Sequence, residues 1–113
     1  MDSRRKGKLG ERLAKDFLIR RGYLILEENF WCRYGEIDLI AKDSTYLVFI
    51  EVKLVKNRAF VDAKEQVNYS KREHLKRVAR YYLSYHQLDG DFRFDVVAIS
   101  NGEIELIQNA FLV

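Results

Sequence analysis

The sequence predicts an α/β fold in the order helix, three strands, helix, two strands, and three patterns predict it. Apolar residues recur at helical spacing in two long segments, five short runs are rich in β-branched and large apolar residues, and turn formers separate those runs. With 113 residues, 48% of them hydrophobic, the chain can bury one core and is too short for two domains of usual size, so residues 1–113 are read as one domain.

The first helix is expected from Lys8 to Arg21, because Leu9, Leu13 and Phe17 recur at i+4 with Ala14 and Leu18 beside them, and Gly22 supplies the stop. Tyr23 to Leu26 is a short β-capable run. Asn29 to Tyr34 has no consistent period and is read as a loop. Glu36–Lys42 and Tyr46–Leu54 then form a hairpin about Asp43, Ser44 and Thr45. Its second strand is apolar on both faces through Val48, Phe49 and Ile50, which places it inside the sheet. The second helix runs from Asp62 to about Tyr85 with Val67, Leu75, Val78, Ala79 and Tyr82 on one stripe. After a turn at Asp89 and Gly90, the strands Arg93–Ile99 and Glu103–Ile107 flank Asn101-Gly102, a two-residue hairpin signal. No internal repeat or proline-rich linker interrupts this order, and the chain has no proline.

Composition narrows the function classes. The longest apolar run, near Leu47 to Ile50, is far shorter than the ~20 residues that a bilayer span requires, and no apolar segment follows the basic N-terminus. A protein that is neither secreted nor membrane-spanning is expected. Cys32 is the single cysteine, so neither an intrachain disulfide nor a thiolate metal cluster can form, and a reducing cytoplasm fits best. The net charge of +3 is a weak argument for a polyanionic partner, but its distribution says more. Arg4, Arg5, Lys6 and Lys8 crowd the N-terminus, Lys71, Arg72, Lys76, Arg77 and Arg80 crowd the second helix, and the acidic residues of interest lie between them in the most apolar part of the chain.

A hairpin loop symmetric about Ser44 and Thr45 pairs residues whose numbers sum to 89. Asp38 then stands opposite Glu51, Glu36 stands opposite Lys53, and alternation puts Asp38, Glu51 and Lys53 on one face. Opposed Cβ atoms lie ~5 Å apart, where two like charges repel by roughly 3 kcal/mol at an effective dielectric of about 20. Lys53 offsets part of that, and a divalent cation held between the carboxylates is the stronger answer. Oxygen ligands without a His or Cys cluster favour magnesium or manganese over zinc. A lysine two residues beyond a metal-binding carboxylate can orient the attacking water and neutralise a scissile phosphate, which is phosphodiester hydrolysis chemistry. An ordinary polar cluster at a sheet end is the alternative.

Gly35-Glu36-Ile37-Asp38, followed after twelve residues by Glu51-Val52-Lys53, resembles the D…E-x-K signature of the PD-(D/E)XK nuclease superfamily. Gly10-Glu11, Gly22-Tyr23, Asn29-Phe30, the runs Gly35–Ala41 and Val48–Lys53, and Arg93-Phe94-Asp95-Val96-Val97 together resemble the YraN family, small bacterial proteins similar to archaeal Holliday junction resolvases. The resemblance implies a restriction-endonuclease-like fold, a mixed β-sheet of about five strands flanked by helices. It further implies a metal-dependent DNA endonuclease, with branched DNA as a candidate substrate, Asp38 and Glu51 as ligands of Mg²⁺ or Mn²⁺, Lys53 as catalytic lysine and Glu11 as a helix-borne accessory acid. No organic cofactor is called for, and a homodimer is expected by the same analogy. For Glu11, a first-turn acid favoured by the helix dipole is the competing reading. Two departures stand out: Ile37 replaces the superfamily's proline, which is not a ligand, and Phe60-Val61 replaces a usual Phe-Gly pair after the lysine.

For DNA, the candidate contacts are Arg4, Arg5, Lys6, Lys71, Arg72, Lys76 and Arg80. Arg72, Lys76 and Arg80 form an i, i+4, i+8 row whose mutual repulsion a phosphate backbone would relieve, although a solvated face explains such a row as well. Lys71 shares the apolar stripe, so either it points back at the acidic site or its stem packs while the ammonium reaches water. Trp31, Arg33 and Tyr34 either stack on an unpaired base or cap a core, and Tyr81, Tyr82 and Tyr85 carry the same ambiguity. His74 and His86 show no HExxH pattern and are read as surface or packing residues. Asp95 is a paired structural acid or a supporting group behind the site, the former being favoured. A DNA-binding module that does not cleave, and an interaction subunit docking through its aromatics and the apolar Ala110–Val113, are the rival functions.

Overall fold

The computed structural model of the chain describes residues 3–55 and 67–111, the first four of them by backbone only. Helix α1 (Ser3–Arg20) is followed by β1 (Leu24–Cys32), β2 (Gly35–Asp43), β3 (Tyr46–Leu54), α2 (Tyr69–Tyr85), β4 (Phe92–Ser100) and β5 (Glu103–Ile107). The strands lie in sequence order in one five-stranded sheet. All neighbours are antiparallel except β3 and β4, which are parallel, so the sheet is mixed and α2 serves as the crossover that a parallel pair demands. The expected order and the interior position of β3 both hold.

Each face of the sheet carries one helix. Ala14 and Leu18 of α1 pack with Leu39, Ala41, Val48, Ile50, Val97 and Ile99. On the other face Leu75, Val78, Ala79 and Tyr82 of α2 pack with Ile40, Phe49, Phe94 and Val96. The buried line of α1 is Gly10, Ala14 and Leu18, while Leu9 is half exposed, so the stripe is turned one position from the expected one. Gly10 lets the helix lie close on the sheet, since a Cβ there would lie 3.1 Å from Cδ2 of Leu54.

Three boundaries differ clearly from expectation, the first being that of α1, which begins at Ser3 and not at Lys8. The segment read as a loop over Asn29–Tyr34 is mostly strand, because β1 extends to Cys32. Its alternation is broken by a register shift between Ile25 and Glu27 and by Asn29, whose φ of 53° is left-handed. Asn tolerates that conformation, but the residue no longer alternates its neighbours, so a strand reads as aperiodic. The second helix begins at Tyr69, not Asp62. Asn68 caps it, its side chain accepting the Lys71 N–H at 2.9 Å, so the fully buried Val67 precedes the helix. Residues 62–66 and the Phe60-Val61 pair lie outside the described residues.

The hairpins are chemically well marked. Ser44 takes φ 56° between Asp43 and Tyr46, and Asn101 and Gly102, at 50° and 82°, both take the left-handed conformation that a two-residue turn requires. At the end of the sheet near Asp43, Asp95 is the paired structural acid. It accepts from Tyr23 Oη at 2.9 Å, Arg93 Nε at 3.0 Å and the Asn109 N–H at 2.9 Å, while Arg93 also bonds Asp43 at 2.7 Å. This network ties β2 and β4 to the residue that leads into β1 and to the segment after β5, at the end remote from Asp38. The apolar C-terminus is not free along its length, since Phe111 is buried and stacks on Phe94 at 4.8 Å. No helix among the described residues is long and apolar enough to cross a membrane.

Candidate metal and catalytic site

The predicted register holds from Asp43–Tyr46 to Leu39–Ile50, every pair summing to 89. Beyond Leu39 the two strands part. β2 stays on β1 to the pair Cys32–Gly35, while β3 stays on β4 to the pair Leu54–Ile99. The expected pairings of Asp38 with Glu51 and of Glu36 with Lys53 are therefore absent from the ladder: Glu51 pairs with Val96 and Lys53 with Ala98 on β4, and Glu36 pairs with Trp31 on β1. The cause lies next to Asp38. Asn29, its opposite number on β1, is the left-handed residue, and Ile37 and Leu39 turn to opposite cores where strict alternation would put them on one face.

That distortion opens a fork, and Asp38 fills its apex. Its Oδ2 accepts the N–H of Val52 at 2.8 Å, which bridges the two strands where their backbone ladder has ended. Glu51 lies beside it, 7% exposed, with Oε2 buried and without a hydrogen bond. Lys71 of α2 brings its Nζ to 3.6 Å from that oxygen. Of the two readings of Lys71, the geometry selects the one that points at the acid.

Burial, first, and then the charge of Asp38 push the Glu51 carboxyl up from 4.5 to about 8, against the pull of Lys71 and Lys53. Glu11 of α1 is pushed up as well, by burial and then by Asp38, while a hydrogen bond to Asn29 pulls it back and Glu36 and Glu28 add to the rise. Asn29 thus both kinks the strand and holds Glu11. Sequence periodicity misses it, although an Asn where a strand loses its alternation is the available signal.

A buried carboxylate oxygen without a hydrogen bond, next to a second carboxylate, fits a hard divalent cation, and its donors are oxygens as magnesium or manganese prefers. Asp38 and Glu51 are the residues that could hold it. Glu11 feels the charge of Asp38, but among the described residues no three His, Cys, Asp or Glu side chains come together closely enough to share an ion. Magnesium usually keeps several waters and takes further oxygens from its substrate.

The expected basic row is only partly free. Arg72 donates from Nε to the Val67 carbonyl at 2.7 Å and lies over Phe111, and Lys76 pairs with Glu73 at 3.0 Å. Lys76 therefore already has an anion in the fold, which offsets part of the repulsion that a phosphate was expected to relieve. Arg77 and Arg80 are exposed. Arg4, Arg5 and Lys6 lie near the start of α1.

A mixed five-stranded sheet with a helix on each face, and Asp…Glu-x-Lys where two of its strands part, defines a nuclease-like α/β protein of the PD-(D/E)XK type. Residues 10–99 match the uncharacterised protein family UPF0102. The chain is 49% identical over 105 residues to a UPF0102 protein of Thermodesulfovibrio yellowstonii, covering 93% of this chain and 94% of that one. It is 47% identical to a UPF0102 protein of Caldicellulosiruptor bescii, covering 98% and 100%, and 39% identical to one of Clostridium botulinum, covering 95% and 94%. The chain belongs to the UPF0102 family, which is the YraN family that its motifs resemble.

Proposed function

We propose that this protein is a metal-dependent DNA endonuclease that hydrolyses phosphodiester bonds, with Asp38 and Glu51 holding Mg²⁺ or Mn²⁺. The observation that carries the reading is the buried Glu51 Oε2, left without a hydrogen bond beside Asp38 and faced by a lysine. A bound divalent cation supplies Lewis acidity toward a phosphoryl oxygen and toward water. Lys53, whose charge acts on Glu51, orients the attacking water and offsets negative charge gathering on the phosphoryl oxygens. Lys71 adds a second positive charge from α2, and Asp38, anchored by the Val52 N–H, keeps its position without depending on the cation. Glu11 assists from α1 through the field it shares with Asp38. Branched DNA and a homodimer about a two-fold axis are the expected substrate and assembly, by analogy with resolvases.

The test is incubation with linear, nicked, single-stranded and four-way DNA, with and without Mg²⁺ or Mn²⁺. Metal-dependent cleavage lost in Lys53→Ala is the expected result, and cleavage under no condition refutes the reading. A second reading, a DNA-binding module without cleavage, is favoured by one observation: among the described residues no third carboxylate joins Asp38 and Glu51 closely enough to share an ion, and Lys71 already compensates Glu51. It predicts DNA affinity that ignores divalent cations and survives Asp38→Asn.

A further inference from the structure

Two exposed segments outside the fork carry aromatic rings and arginines together. On α2, Tyr81 and Tyr85 stack at 6.0 Å with planes 17° apart, and Tyr85 is 70% exposed. Tyr34, in the turn between β1 and β2, places its ring 6.2 Å from Tyr81, and Arg33 lies over Tyr34 at 4.8 Å. Arg77, one helical turn before Tyr81, and Arg80 are exposed beside this row. Glu27 accepts a hydrogen bond from Tyr82 Oη, next to Tyr81 on α2, at 3.4 Å. Isolated exposed aromatics are ordinary, but a stacked pair with a third ring set edge-on to it, flanked by arginines, makes a surface with π-faces and positive charge. Duplex DNA offers phosphates but hides its base faces, whereas an unpaired stretch offers both.

We infer that Tyr34, Tyr81 and Tyr85, with Arg33, Arg77 and Arg80, form a stacking platform for unpaired nucleotides of the DNA. This deepens and rests on the nuclease reading, because it names the substrate class as DNA with a single-stranded stretch next to the cut. The reach is set by α2. Tyr81 and Tyr85 lie ten and fourteen residues beyond Lys71, about 15 and 21 Å along the helix at 1.5 Å per residue. At about 3.4 Å per stacked nucleotide, the platform engages bases roughly four to six nucleotides from the phosphate at Glu51.

The experiment measures binding in EDTA, by anisotropy, of a blunt duplex and of the same duplex extended by an eight-nucleotide single strand carrying 2-aminopurine. The wild type is expected to bind the extended duplex about tenfold or more tightly and to quench the 2-aminopurine. Tyr34→Ala/Tyr85→Ala should lose both effects with blunt-duplex affinity unchanged. Tyr34→Phe/Tyr85→Phe should keep them, because stacking needs the ring and not the hydroxyl. Matching far-UV circular dichroism of the variants checks the fold. Equal wild-type affinity for both DNAs, a preference that survives in the alanine variant, or self-association through these tyrosines in place of a preference overturns the inference. Metal-dependent cleavage by the same preparation judges the nuclease reading separately: a retained preference without cleavage sinks that reading alone, and no affinity for either DNA overturns both.

Discussion

Replacing Glu51 by Gln in the metal-free protein changes little in shape but removes the group whose ionisation the fold resists most clearly. The Glu51 carboxyl is 7% exposed and raised from 4.5 to about 8, by burial first and by Asp38 second. Between those values the native state holds a proton that the unfolded chain has released. The stability that this group contributes is therefore complete below pH 4.5 and is lost as pH rises through 8. A displacement from 4.5 to about 8 corresponds to roughly 5 kcal/mol, an upper figure because water entering the fork would relieve part of it. Urea unfolding in EDTA at pH 5, 7 and 9 should show wild type losing several kcal/mol more than Glu51→Gln across that range, with the variant the more stable protein at pH 9. Adding Mg²⁺ or Mn²⁺ at a hundred times its Kd should return about 2.7 kcal/mol to the wild type and little to the variant. Because the cation competes with the proton, metal affinity should rise as pH approaches 8 and level off above it. Parallel pH profiles, or a variant destabilised at pH 9, would refute the reasoning and leave Glu51 as the charged partner of Lys71 in an ordinary buried ion pair.

Three further outcomes follow from other residues. Lys53→Ala should lose cleavage while keeping the metal-induced shift in Tm, since Lys53 is not a ligand; loss of the shift would make it part of the metal site. Asp95→Ala strips Tyr23, Arg93 and Asn109 of their shared acceptor and should destabilise by about 3–5 kcal/mol in denaturant unfolding, and a change below 1 kcal/mol would mean that Arg93 finds sufficient support in Asp43. Neutralising Arg4, Arg5 and Lys6 together should lower the slope of log affinity against log salt by about 0.9 for every phosphate that these side chains neutralise, and an unchanged slope removes them from the DNA interface.

What could be read from the sequence depends on local signals. Helix periodicity, strand runs and the Asn101-Gly102 and Ser44-Thr45 turns act within a few residues, so element order and the register through Leu39–Ile50 follow without tertiary information. The Asp38, Glu51 and Lys53 signature is equally local, being two strands and the turn between them. The tertiary structure alone decided what lies beyond that hairpin. A left-handed Asn29 on the neighbouring strand ends the ladder at Leu39 and turns an expected row of opposed side chains into a fork. Asn68 starts α2 where periodicity would have continued it, and that start brings Lys71 to Glu51 across a packed interface that no sequence spacing encodes. Strength of charge at the site was settled there too, because a carboxyl's ionisation depends on how much water the fold leaves it and on which charges other elements bring near.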